Sequence, residues 1–572
     1  MTTASVDLPG DTSSDRTAFV MGGSGGLRRR GSGALGNWIG LGIVAVLVAL
    51  PLKGLYRFTG GTMEEGFMLY FPERMWKGDV PNVDFLHLYG PGALHVLMGW
   101  YKVVGETLFA ERTFGLVQHV GIILGLFALA RPWGRAAAAA VASLSVLYIL
   151  TPIGLSAMAW NGGLALTLWS AVFVLRGLHV DGERHRHVCW LVAGVLGGLA
   201  LTYRPDLAVA LGLVFGWLMI TRRDSRADIA VGAFTGLLPM WIHVAIAGPA
   251  ASFRGMFLDP VFELRAGREL PRPPSWDTPD GALQKIAEFV PPWWEIPHLA
   301  ASNAIFLWFF AMLILTALLL AFAVWQRRRF LDGRSSTLLV VALVSLGILP
   351  QALQRPDSTH LTWVTCISWP FLVVAGAEVV RRMRPRTTLR AGLITGGAFA
   401  LAITFALTSL FTFRYYVWRT RVGMGFVEGE YEVRRGDRVF YFGYNQAALA
   451  SQLVIDDLDT LAEPGERLFV GPHILSRTFY NDVIFYWMFP ELEPATYFIE
   501  MDPGLADEPG SRLADDLRTA DWVILTSFWA GWDEPNASME YGSPEPDRVI
   551  QEDFRLYKEY LDGLIRLYYR SG

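Results

Sequence analysis

The stretch ALHVLMGWYKVV, Ala93 to Val104, decides how this chain is laid out. It is apolar, but it is short and carries His95 and Lys102. A helix that crosses a hydrocarbon core needs about 20 apolar residues, so this piece reads as an interfacial or re-entrant helix. Were it a span, every later loop would change sides. The basic residues choose between the two readings, because cytoplasmic loops collect Lys and Arg. With Ala93 to Val104 left out of the bilayer, Arg131 and Arg135 fall inside, as do Arg176, Arg184 and Arg186, then Arg222, Arg223 and Arg226. Arg327 to Arg329 with Arg334, and Arg381 to Arg390, complete the inner set. The short outer loops then hold Arg204 and Arg355 and almost no other basic residue. The long segment from Pro249 to Asn303 also falls outside.

Working outward, apolar runs of about 18 to 22 residues recur from Leu35 to Phe411. They predict a polytopic α-helical membrane protein with about eleven spans. Among them are Leu35 to Leu52, Phe114 to Ala130, Ala136 to Gly154, Leu207 to Thr221 and Ile229 to Ala247. The charged fraction of 18% agrees, since a soluble chain carries about 25%. Residues 1–34 read as a disordered cytoplasmic tail ending in the basic stop Arg28 to Arg30. Residues 35–411 form the membrane region, and 412–572 an extracytoplasmic α/β domain. Its strands are expected at Arg438 to Gly443, Arg467 to Gly471 and Trp522 to Thr526, with a helix over Ala447 to Leu461 and a small parallel or mixed sheet. The net charge of −4 gives no reason to expect nucleic acid as a partner. The two cysteines, Cys189 and Cys366, lie in opposite halves, which argues against a disulfide framework or a cysteine metal site.

The polar residues fall on one face. The first outer segment carries Glu64 and Glu65, then GDVPNVDFLHLYGPG from Gly78 to Gly92, which includes Asp84, His87 and Tyr89. Carboxylates at a membrane surface can serve as general bases; the alternative is a solvated polar loop. Two helices then end in the same triplet, Arg204-Pro205-Asp206 and Arg355-Pro356-Asp357, the second followed by His360. Charge near membrane depth is costly, so it pairs or lines a cavity. Each Arg can pair with its neighbouring Asp, or the arginines can form an anion site for phosphate oxygens with His360 as donor. The segment Pro249 to Asn303 is rich in Pro and Trp and carries Arg254, Glu263, Arg265 and Arg268; its aromatics read as interface residues or as sugar-stacking faces.

This order of elements resembles the type C glycosyltransferases, the superfamily of the protein O-mannosyltransferases and the lipid A aminoarabinose transferases. The resemblance implies a sugar donor on a polyprenyl phosphate and transfer at the extracytoplasmic face to a glycan, lipid or protein acceptor. The family's Asp-Glu pair falls on Glu64 and Glu65, with Glu64 in place of the catalytic aspartate. The base is therefore Glu64, Glu65 or Asp84. Arg204, Arg355 and His360 are the expected phosphate ligands, supported by Asp206, Asp357, His87 and Tyr89. The scheme requires no cofactor, and a divalent metal is compatible with it but not indicated. The competing classes are a transporter or flippase of a polyisoprenoid-linked or other amphiphilic substrate, and a non-catalytic receptor or assembly factor. A transporter usually shows two related halves, which this sequence lacks; a receptor would tolerate alanine at Glu64, Asp84 and Arg355.

Overall fold

The computed structural model describes residues 28–272, 290–291, 293–531 and 534–571, with side-chain surroundings given from residue 38 onward and left out at 265 and 266. Among these residues, eight helices are long and apolar enough to span a membrane, or nine if the bent pair Arg223–Gly236 and Leu238–Ala247 is one span. The bend of 45° falls just before Pro239, which lacks the N–H that would continue the helix. The other two expected spans are present as helices but are short: Arg135–Ile149 and the unit Pro205–Thr221. The first helix begins at Arg28 rather than Leu35, so the basic stop is helical; the expected tail over 1–27 lies outside the described residues.

The spans pack closely where small residues allow it. Gly194 and Gly198 of helix Glu183–Tyr203 face Gly232 and Gly236, and a Cβ on Gly198 would sit 2.3 Å from the Ala233 carbonyl oxygen. Such small-residue spacing brings two backbones into van der Waals contact without relying on hydrophobic burial.

The bundle has two unlike ends. At one, the Arg-rich loops converge: Arg334 donates to the Pro132 carbonyl at 3.0 Å and lies 3.4 Å from Glu378, and Arg186 pairs with Asp224 at 3.6 Å. At the other sits the sheet region, together with two helices that do not span. These are α1 (Glu64–Lys77) and α2 (Gly92–Val104). The expectation for Ala93 to Val104 holds as a short helix of 13 residues. The stretch around Glu64 was expected to be a loop, but it is the mostly buried helix α1. Pro72 removes one backbone donor inside α1, and the Tyr101 hydroxyl of α2 donates to the freed Met68 carbonyl at 3.2 Å.

The C-terminal part contributes a hairpin, β1 (Tyr431–Arg435) with β2 (Arg438–Phe442), and a five-stranded mixed sheet. The sheet strands are β3 (Arg467–Pro472), β4 (Glu493–Pro494), β5 (Trp522–Thr526), β6 (Phe554–Tyr560) and β7 (Ile565–Arg570), in the order β4-β3-β5-β7-β6. β3 runs parallel to β4 and β5, while β7 runs antiparallel to β5 and β6. The expected strand at Arg438 therefore belongs to the hairpin, outside the sheet. The expected helix is present as Asn445–Leu461. The sheet shares its core with α1 and α2: Phe67, Tyr70, Phe71, Leu94 and Leu97 pack in one cluster with Val470, Tyr486, Trp487 and Ile524. That shared core sets α1 and its first turn against the C-terminal segment.

Candidate active site

Glu64 and Glu65 open α1, where the helix dipole favours negative charge. Consecutive helical residues point about 100° apart, so the two carboxylates enter different surroundings. Glu65 is 1% exposed and gripped by Arg112, with Nε to Oε1 and Nη2 to Oε2 both at 2.7 Å. Arg112 spends its remaining donors on the carbonyls of Tyr56 and Phe58 at 2.8 Å each. This bidentate pair ties the end of the first span to α1. This grip makes Glu65 an anchor of the fold and leaves Glu64 the freer of the two expected bases.

Glu64 stays partly exposed. Burial of its surroundings pushes its carboxyl above the usual range; Arg268 and Arg355 oppose that push and Asp502 adds to it. A carboxylate that can be reached, and that is shifted toward neutrality, suits a general base.

Asp84 lies elsewhere. It is exposed, accepts a hydrogen bond from the Val80 amide at 2.7 Å and borders an open cleft with Arg74, Arg467, Tyr497 and Arg512. It caps a turn outside the Glu64 cluster, so the structure does not bring this expected base together with Glu64.

The two Arg-Pro-Asp triplets sit on the sheet end of the bundle. Arg204 forks onto Asp206 at 3.1 and 2.8 Å and reaches the Gln351 side chain at 3.2 Å. Its guanidinium lies over the rings of Tyr89 and Trp160, at 4.9 and 5.5 Å. Trp160 stacks on Trp363 at 5.5 Å, and His360 meets Trp363 edge-on at 5.0 Å. Arg355 has a partner at each nitrogen: Nε to Asp357 at 3.3 Å, Nη1 to the Arg268 carbonyl at 2.8 Å and Nη2 to Glu534 at 2.6 Å. His360 Nδ1 lies 2.9 Å from Asp357 Oδ1, whose oxygen also caps the helix that follows. Burial alone would raise the Asp357 carboxyl; His360 and Arg355 override it and hold the group well below the usual carboxylate range. Each guanidinium nitrogen of Arg355 and the Nδ1 of His360 thus has a protein partner, so a phosphate at these expected ligands would compete with those bonds.

Of the supporting residues, His87 is fully buried against Phe67, Phe71 and Tyr89. Burial, with the charge of His243, pulls its imidazole down to about 3, so it stays neutral and acts as packing. Tyr89 connects the two halves of the cluster. Burial and then Glu500 push its phenol up, while Arg204 and Arg268 act against them.

Residues outside the expected site join these groups. Arg268 Nη1 lies 2.6 Å from Asp502, and Nη2 donates to the Tyr480 hydroxyl, with the guanidinium 4.8 Å from that ring. Glu500 and Asp502 are 1% and 0% exposed. Burial raises both carboxyls; each is raised further by a neighbouring acid and lowered by Arg268. One signal for them was present: Phe498-Ile-Glu500-Met-Asp502 puts two acids on the same face of an apolar extended stretch. Among the described residues, no group of three His, Cys, Asp or Glu has the geometry to hold a metal ion.

No protein-family model and no curated protein sequence matches this chain. Among solved structures, it is similar to ArnT from Cupriavidus metallidurans bound to undecaprenyl phosphate, with a TM-score of 0.52 at 12% identity, covering 93% of this chain and 97% of that one. The apo state of the same ArnT gives 0.51 at 12%, covering 94% and 98%. The Archaeoglobus fulgidus oligosaccharyltransferase tethered with an acceptor peptide gives 0.41 at 10%, covering 94% of this chain and 74% of that one. The likeness to ArnT shows a shared fold, in keeping with the resemblance read from the sequence.

Proposed function

We propose that this protein is a membrane glycosyltransferase. It takes a sugar from a polyprenyl-phosphate donor and passes it to a glycan, lipid or protein acceptor at the extracytoplasmic face. One observation carries the reading: a reachable carboxylate, Glu64, shares a buried cluster with Arg268 and Arg355, at the same end of the bundle as Arg204 and Tyr89. The fold is that of a protein solved with undecaprenyl phosphate bound, which supports the donor class. The alternation of basic loops supports the sidedness.

The chemistry follows from the donor. A glycosyl phosphate has a good leaving group, so the enzyme needs a base for the acceptor hydroxyl and positive charge for the departing phosphate. Glu64 accepts the hydroxyl proton as the acceptor oxygen bonds to the anomeric carbon. The bond from that carbon to the phosphate oxygen breaks, and its electron pair leaves with the polyprenyl phosphate. Displacement is direct and inverts the anomeric centre. Arg204 is the arginine best able to turn to a phosphate, because its partner Asp206 is 36% exposed. Arg268, whose charge also reaches Tyr89, contributes further positive charge, and Arg355 positions Arg268 by donating to its carbonyl. No step requires a metal ion.

The test is transfer by the purified full-length protein in lipid nanodiscs, supplied with a panel of polyprenyl-phosphate sugars. Transfer with inversion from at least one donor is expected. Movement of polyprenyl lipid across a vesicle, with no transfer from any donor, would replace this reading with the transporter.

A further inference from the structure

Asp482 is completely buried, yet it does not belong to the charge cluster just described. Its Oδ1 accepts from the Thr62 hydroxyl and, at 3.0 Å, from the Trp529 indole N–H. Its Oδ2 accepts from the Thr526 hydroxyl at the end of β5. Two residues on, the Ile484 amide donates to the Thr62 carbonyl at 3.1 Å. Thr62 is therefore held by both its side chain and its backbone, two residues before Glu64. The first turn of α1 leaves no slack there, since a Cβ on Gly66 would lie 2.9 Å from the Ile484 nitrogen. The same carboxylate reaches the other side of the site through Trp529, which packs on Tyr480 at 5.2 Å, the ring that receives Arg268.

We infer that Asp482 is a positioning residue for transfer: its carboxylate fixes the first turn of α1 against the sheet, and so sets where Glu64 stands relative to Arg268. This rests on the proposed role of Glu64. The chemistry of the three donors dictates what can replace Asp482. The indole N–H can only donate, whereas the two threonine hydroxyls can donate or accept. Asparagine meets that demand, with its oxygen toward Thr62 and Trp529 and its amide toward a turned Thr526 hydroxyl. Leucine fills similar space and accepts from none of them, leaving buried donors unpaired.

The experiment compares Asp482→Asn, Asp482→Leu and Thr62→Val with wild type as full-length proteins in nanodiscs. It reads kcat and KM for a donor the wild type uses, and amide hydrogen exchange over residues 62–71. Asp482→Leu is expected to lose about 100-fold in kcat with KM little changed, because small misplacement of a reacting group costs that much. Thr62→Val, which removes one hydroxyl and keeps the shape, should lose about tenfold, and Asp482→Asn should stay within about threefold of wild type. Exchange over 62–71 should quicken in the leucine and valine variants and stay unchanged in the transmembrane helices. Unchanged kcat in both, or an asparagine variant as impaired as the leucine one, overturns the inference. So does exchange that quickens uniformly. If the wild type transfers no sugar, the proposed function fails, and the exchange pattern alone then decides whether Asp482 holds the turn.

Discussion

Arg-Pro-Asp occurs twice at the sheet end of the bundle, and the two copies do different work. In Arg204-Pro205-Asp206 the side chains are 11% and 36% exposed, and the arginine lies on aromatic faces. In Arg355-Pro356-Asp357 they are 8% and 1% exposed, and the arginine is bound by Glu534, Asp357 and a backbone carbonyl. The same three residues thus make an adaptable cation in one place and a fixed strut in the other. What differs is the third partner: Glu534 comes from the C-terminal segment and closes over the second copy.

The comparison breaks most visibly in stability. Arg355→Met strands Glu534 as a buried carboxylate without its cation and leaves Asp357 to His360 alone, which costs about 3–5 kcal/mol. Arg204→Met removes a partly exposed pair and should cost about 1 kcal/mol or less. Thermal unfolding in detergent should therefore separate the two variants clearly, and equal losses would erase the distinction.

A smaller effect runs the other way. Arg204→Gln should weaken binding of polyprenyl phosphate about 10- to 100-fold, the worth of one charged hydrogen bond. Titration of the lipid into nanodisc-embedded protein measures this directly. Unchanged affinity would move the phosphate site away from Arg204.

The smallest effect is in acid. Asp357 has a folded pKa below its unfolded value, so it stabilises the fold above about pH 4. That contribution is lost as the pH falls from about 4 through the lower folded value. Asp357→Asn should flatten this part of the stability profile. An unchanged profile in Asp357→Asn would contradict the buried role of the second copy.

The spans were legible because apolar runs and basic loops follow from the bilayer itself, and residues 93–104 followed from its length. Helix α1 was hidden: EEGFMLYFPERMWK is charged at both ends and holds a proline, and its burial is supplied by residues near Tyr486 some four hundred positions later. The candidate site was half legible. Glu64, Arg204 and both triplets could be picked out because charge near a membrane is conspicuous. Which of them are committed to protein partners depends on Arg112, Arg268, Glu534 and Asp502, contacts that form only through the tertiary fold. The Glu64-Glu65 pair shows the limit plainly. Two identical neighbouring residues become a reachable carboxylate and a locked strut, because a helix turns them to different sides.

That pair also supplies the most direct test. Rates of polyprenyl phosphate release at saturating acceptor should be compared for wild type and Glu64→Gln in the same nanodiscs, with unfolding temperature as a control. Glu64→Gln is expected to lose about 10²- to 10⁴-fold in kcat, the usual worth of a positioned base, with little change in unfolding temperature. A Glu64→Gln protein that turns over within about threefold of wild type would contradict that role.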